Sequence, residues 1–255
     1  MDGFSAKVHC LTNPVTMQEV VNVLLAAGGS AIMAQDPAEV EEITAFCDAT
    51  LLNTGVPDAE KFRSCILAGK RADALGHPVI LDPVGVGASA FRKQELQKLL
   101  SEVPVSLIRC NQEEACTLLH MRMGHPGGVE SAVRFGQGRQ TEIAEKLAKT
   151  YDCTVLVSGE TDVVSDGRWS VQICGGDARI ARITGSGCML SALCALLCGA
   201  GLPAWEAACR AAKIWKKSAE RAGIRTEESH GGIGSFRIFL FDEVDRLCHG
   251  REETE

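Results

Sequence analysis

Short apolar runs alternate with longer stretches of helical periodicity along most of the chain. Runs rich in Val, Ile, Leu and Thr predict strands at Val8–Leu11, Ser30–Met33, Thr50–Asn53, Val79–Leu81, Val105–Ile108 and Thr154–Val157. Between them the spacing predicts helices near Val15–Ala27, Ala38–Cys47, Asp58–Leu75, Arg92–Leu100 and Glu142–Lys149. Such alternation implies an α/β fold, with a mostly parallel central sheet and helices on both faces. The pattern changes where Val163-Val164-Ser165 and Trp169-Ser170-Val171 flank Asp166-Gly167, a strong turn dipeptide that predicts a small β-hairpin. Three further helices are expected, at Cys188–Cys198, Ala204–Ala222 and Asp242–Cys248. No repeat or linker divides the 255 residues, so one domain is expected over 1–255. Met123–Gly138 holds five glycines and one proline with poor periodicity, and it reads as a surface loop that either covers a site or covers nothing.

Composition narrows the function. There are 26 basic and 33 acidic side chains, a formal net charge of −7, which argues against coating nucleic acid. No apolar run reaches the length of a membrane span, and the start lacks the pattern of a signal peptide. Twelve cysteines are scattered, mostly in apolar stretches, without a C-x-x-C pair. They read as small core residues of a protein in a reducing cytoplasm, and neither a disulfide framework nor a zinc site is expected.

The sharpest chemical feature is Thr184-Gly185-Ser186-Gly187-Cys188, a glycine-rich turn running straight into an apolar helix. The first N–H groups of a helix lack internal partners and its dipole is positive there. Gly185 and Gly187 would let that backbone approach a phosphate closely. A thiol at this position is expected to have a pKa lowered toward neutrality, so Cys188 could take a proton from a hydroxyl. A second cluster is Leu81-Asp82-Pro83-Val84-Gly85-Val86-Gly87, an acid at a strand's carboxyl end, where open α/β sheets place ligands. Gly85 to Ala90 also fits the dinucleotide fingerprint G-x-G-x-x-A, but the following strand ends in Arg109-Cys110-Asn111 without the required acid. Arg109 offers a planar fork for phosphate oxygens, and Asp82 with Glu114 could hold Mg²⁺, which favours few carboxylates plus water and phosphates. Equally, Asn111 could simply cap the next helix, with Glu113 and Glu114 in its first turn. No G-x-x-x-x-G-K-[ST] is present, which excludes a P-loop nucleotide site.

In order along the chain, VHCLTNPVT with Asn22 behind it, SAIMAQDPAEVEE, LDPVGVGASAFR, IRCNQEEA, VSGETDVVSDG, RITGSGCMLSAL and GIGSFRIFLFD resemble the hydroxyethylthiazole kinase family of the ribokinase-like superfamily. These stretches reach from Val8 to Asp242. The resemblance implies ATP-dependent phosphorylation of 4-methyl-5-(2-hydroxyethyl)thiazole in thiamine biosynthesis or salvage, with ATP and Mg²⁺. It implies Cys188 as the base, where the wider superfamily carries aspartate, and Gly185, Ser186 and Gly187 as the anion hole. Asp82 and Glu114 match metal-holding positions, Asn111 belongs to the N-x-x-E element, and Arg109, Ser158 and Asn111 match ATP-contacting ones. Where Ser158 stands, family members usually carry Thr. Met33 and Gly185 match thiazole-contacting positions, with Asn13 in the same pocket. A homotrimer is also implied, Met33 reaching a neighbour's site across the subunit boundary. The sequence departs from the family at Cys110, where glycine is frequent, and in the Met123–Gly138 loop. Other readings are a kinase for a pyrimidine or pyridoxal alcohol, a nucleotide-dependent dehydratase acting on hydrated NADH, and a non-catalytic binding protein. Cys188 speaks against the dehydratase, whose members usually keep aspartate there, and the intact polar set speaks against loss of catalysis.

Overall fold

The computed structural model describes residues 4–123 and 137–250. The first half winds through β1 (Lys7–Leu11), α1 (Met17–Ala26), β2 (Ser30–Ile32), α2 (Val40–Ala45), β3 (Ala49–Asn53), α3 (Ala59–Leu75), β4 (Val79–Asp82) and α4 (Ala90–Glu102). It continues with β5 (Leu107–Asn111), α5 (Gln112–Met123), α6 (Gln137–Tyr151), β6 (Thr154–Ser158), β7 (Asp162–Ser165) and β8 (Ser170–Ile173). Three helices complete it: α7 (Ser186–Gly199), α8 (Ala204–Glu228) and α9 (Ile233–Cys248).

The strands form one eight-stranded sheet in the order β2-β1-β3-β4-β5-β6-β7-β8. Every pairing from β2 to β6 is parallel, and β7 and β8 close the far edge antiparallel, as the sequence pattern implies. Side chains alternate between the two faces of each strand. Leu51, Ile80, Leu107 and Leu156 therefore join one core, under α1, α7, α8 and α9. Their neighbours Leu52, Leu81, Ile108, Val155 and Val157 join the other, under α2 to α6. Strands covered on both sides read as unbroken apolar runs, which is why β3 and β4 are buried at every position.

Boundaries shift for local reasons. Helix α1 starts at Met17 rather than Val15, because Asn13 Oδ1 accepts from the N–H of both Val15 and Thr16 and holds a turn there. Helix α3 starts and stops as expected, with Asp58 capping Lys61 N–H at 2.8 Å and Gly76 left-handed at its end (φ +71°). The hairpin turns at Asp166–Trp169, with Gly167 at φ +84° and Asp166 Oδ1 accepting from the N–H of Arg168 and Trp169. Helix α9 begins at Ile233, well before the expected Asp242, and α6 at Gln137 rather than Glu142. Of the expected Met123–Gly138 loop, residues 124–136 lie outside the described residues. Among the described residues no helix is long and apolar enough to cross a membrane.

Helix α7 departs from the usual amphipathic surface helix. Every residue from Cys188 to Cys198 is buried, because α7 lies on the sheet with α1 and α8 beside it. The sheet places its chemistry by topology. The strand order reverses direction between β1 and β3, and open α/β sheets bind ligands beyond the carboxyl ends of the strands at such a switch point. The start of α7 arrives at those same strand ends, as its contacts with Asn13 and Asn53 show.

Candidate active site

Two asparagines organise the centre. Asn13 follows β1 and Asn53 ends β3, one on each side of the switch point. Asn53 Oδ1 accepts from Gly55 N–H at 3.0 Å and from Asn13 Nδ2 at 3.0 Å. Asn13 Oδ1 is committed to the N–H of Val15 and Thr16. Those bonds fix both amide orientations, so both NH₂ groups turn inward. Asn53 Nδ2 donates to Asp82 Oδ2 at 2.8 Å and to Cys188 Sγ at 3.1 Å, while Asn13 Nδ2 reaches Sγ at 3.8 Å. The sulfur is thus an acceptor of two amide donors. Sequence reasoning singled out Asn13 and missed Asn53.

Burial governs the electrostatics of this group. Cys188 is 6% exposed. Its thiol is pushed up to about 11, first by burial and then by the Asp82 carboxylate, with the nearby Thr16 hydroxyl, the hydrogen bond from Asn53 and the charge of Arg109 working the other way. This corrects the expectation of a thiol lowered toward neutrality: the start of α7 favours a thiolate, but losing water costs it more. Iodoacetamide at pH 8 should therefore label exposed Cys174 and leave Cys188 unmodified, as peptide mass mapping would read. Prompt labelling of Cys188 would contradict the buried, protonated sulfur.

Asp82 closes β4 and has no exposed surface. Burial raises its pKa, and Arg109, whose Nη1 lies 3.7 Å from Oδ1, opposes the rise. Cys188 and Ser191 also favour the carboxylate from nearby, yet neither closes a hydrogen bond on Oδ1, which is left without one. Arg109 is also buried. Loss of water works against its charge, but Asp82 and Glu114 outweigh that and hold its pKa above the ordinary value. Its Nη2 donates to Ser158 Oγ at the end of β6. The guanidinium lies directly under Gly187, where an added Cβ would stand 2.2 Å from Nη1.

Both readings of the Asn111-x-x-Glu114 element coexist. Asn111 Oδ1 accepts from Glu114 N–H, and Glu114 Oε2 accepts from Asn111 N–H, each at 2.9 Å, a reciprocal cap on α5. Glu114 Oε1 accepts from Gly85 N–H at 2.9 Å, which ties the left-handed Gly85 turn (φ +64°) to α5. Burial, and then the charge of Asp82, push the Glu114 carboxyl up. Among the described residues no group of three or more His, Cys, Asp and Glu is placed to hold a metal. Two carboxylates and one orphaned carboxylate oxygen remain, a donor set that suits a cation bringing its own phosphate and water ligands.

The turn into α7 has the open form its composition implies. Gly185 is left-handed (φ +79°), a Cβ there would strike Thr16 Cγ2 at 2.7 Å, and no side chain caps the helix. Of its first amides, that of Ser186 donates to Ile183 O at 3.2 Å, while those of Gly187 and Cys188 suit an anion. The structure brings Cys188, the Gly185–Gly187 turn, Asn13, Asp82, Arg109, Ser158, Asn111 and Glu114 to one end of the sheet. Met33 stands apart. It follows edge strand β2, partly buried against the core that includes Cys188, one strand away from the β1 end that leads into Asn13 and three from Asp82.

Comparison with known proteins points the same way. Residues 2–250 match the family model "Hydroxyethylthiazole kinase family". A hydroxyethylthiazole kinase of Alkaliphilus oremlandii is 40% identical over 242 residues, 94% of this chain and 88% of that protein. The solved hydroxyethylthiazole kinase protein of Pyrococcus horikoshii OT3 is similar with a TM-score of 0.84 and 31% identity, covering 98% of this chain and 91% of that one. A ribokinase-like superfamily protein of Enterococcus faecalis V583 shares the fold alone, with a TM-score of 0.64 and 11% identity over 93% of this chain and 86% of that one.

Proposed function

The chain belongs to the hydroxyethylthiazole kinase family, and from that premise we propose how its site transfers the γ-phosphoryl group of ATP to the primary alcohol of 4-methyl-5-(2-hydroxyethyl)thiazole. The enzyme is a phosphotransferase with an alcohol acceptor. The observation that carries the reading is the convergence of Cys188, Asp82 and Arg109 on the uncapped start of α7.

Phosphoryl transfer depends on positioning and on stabilising charge, with little covalent chemistry for the protein to do. The alcohol lies beside Cys188 Sγ, in a pocket shared with Asn13 and Gly185. The amides of Gly185, Gly187 and Cys188 and the Arg109 guanidinium offset charge on the transferred group, and Ser186 shapes the turn through its N–H bond to Ile183 O. Ser158 and Asn111, at the ends of adjacent strands β6 and β5, face the nucleotide. As the alcohol oxygen bonds to phosphorus, the bond to the ADP oxygen breaks, and the thiolate form of Cys188 accepts the hydroxyl proton late, becoming the thiol. Burial holds the thiol at about 11, so the thiolate that takes the proton is the minor form at neutral pH and this base works at the modest end of its range. Asp82 and Glu114 would hold Mg²⁺, and the orphaned Asp82 Oδ1 supports that role. Such an ion neutralises charge on phosphate oxygens when bound.

The same reading takes the protein as a homotrimer in the cytoplasm. On that reading Met33, just after edge strand β2, reaches a neighbour's pocket. An ADP-release assay with the thiazole alcohol, a pyrimidine alcohol, pyridoxal and hydrated NADH tests the substrate. Turnover is expected with the thiazole alcohol; turnover with one of the others and none with the thiazole would overturn the assignment. Native mass measurement reads the trimer.

A further inference from the structure

Lys61 sits in the first turn of α3, where a lysine is ordinarily a solvated surface residue. Here it turns inward and is 7% exposed. Its Nζ donates to Thr12 O at 2.9 Å and to Gly55 O at 2.6 Å. Among the described residues no carboxylate lies within ion-pairing distance of it. A buried ammonium satisfied by two backbone carbonyls is an unusual device, since burying a charge without a counter-charge is costly.

The two carbonyls belong to the two loops that carry the site asparagines. Thr12 precedes Asn13, and Gly55 follows Asn53 by two residues. Gly55 is pressed against both amides: its N–H bonds Asn53 Oδ1, and an added Cβ would lie 2.8 Å from Asn13 Nδ2. The next residue, Val56, has φ of +47°, a left-handed conformation that a β-branched side chain keeps only where its surroundings hold it. Lys61 holds the carbonyl immediately before it. Burial lowers the ammonium's pKa, in keeping with its enclosed seat.

We infer that Lys61 is a positioning residue: its ammonium ties the β1 and β3 strand-end loops together across the switch point, and so keeps the Asn13 and Asn53 amides on Cys188 Sγ and Asp82. Its kinetic consequence rests on the kinase reading given above; its structural consequence does not. Lys61→Met preserves the apolar stem and removes the donors, and Lys61→Gln restores a shorter donor. In hydrogen-exchange mass spectrometry of the protein alone, Lys61→Met should exchange faster in peptides covering residues 12–16 and 53–57, without change at 158–162. Lys61→Gln should fall between it and the wild type. Unchanged exchange at 12–16 and 53–57 overturns the inference whatever the activity. In kinetics, kcat/KM for the thiazole alcohol should fall at least tenfold while KM for ATP stays within twofold. A loss spread equally over both substrates, or none, overturns it too. A wild type inactive on the thiazole would sink the kinase reading and leave the exchange result standing.

Discussion

Cys188→Ala is expected to lower kcat by about 10²-fold while leaving the KM for ATP nearly unchanged. The figure takes the lower end of what a general base supplies, because burial makes the accepting thiolate the minor form at neutral pH. The helix amides and Arg109 survive the substitution, and with them most of the charge stabilisation. Cys188→Asp should equal or exceed the wild type at pH 7.5. A carboxylate there is pushed up by burial and by Asp82, but it starts from a far lower pKa than a thiol and has Arg109 nearby. Steady-state kinetics of the two variants settle the role of the sulfur. Wild-type turnover in Cys188→Ala would mean that the sulfur accepts no proton in the reaction.

A larger effect is expected from a smaller change. Gly187→Ala adds one methyl group, but that carbon would lie 2.2 Å from Arg109 Nη1, 2.7 Å from Nη2 and 2.8 Å from Cζ. Flexible side chains usually swing clear of such contacts. Arg109 cannot do so freely, because Nη2 bonds Ser158 and Nη1 faces Asp82. Displacing it leaves Asp82 buried without its paired cation and withdraws the fork from the anion hole. The expected cost is about 10²–10³-fold in kcat/KM, the scale of losing one preorganised donor. Unlike Cys188→Ala, the variant should also weaken ATP binding, as titration calorimetry would read. An active Gly187→Ala enzyme with native ATP affinity would show that Arg109 does not set the nucleotide's position.

The two variants mark what the sequence could and could not reveal. Gly187, Cys188, Asp82 and Arg109 stand in local patterns: a glycine turn entering an apolar helix, an acid at a strand end, a basic residue at the next. Topology carries each strand end to the same edge, so local signals sufficed to assemble them. Asn53 and Lys61 carry no such signal. Asn53 meets Asp82 and Cys188 across 29 and 135 residues of sequence, and Lys61 meets Thr12 across 49. The thiol expectation failed for a related reason: the helix-end effect is local, whereas burial by the surrounding fold is not. Helix α9 carries a signal in the spacing of Phe236, Leu240 and Val244, but the helix expected from sequence begins only at Asp242. Phe239 and Phe241 between them blurred the stripe.

Because α7 is buried from Cys188 to Cys198, its partly exposed opening turn is carried on a rigid axis. The dipoles at its tip are aimed before any reactant arrives, and solvent has nothing to rearrange when charge builds on the migrating group. On the kinase reading, swaps of Leu193 or Leu196 that leave thermal stability intact but tilt this axis should lower kcat, which steady-state kinetics would read.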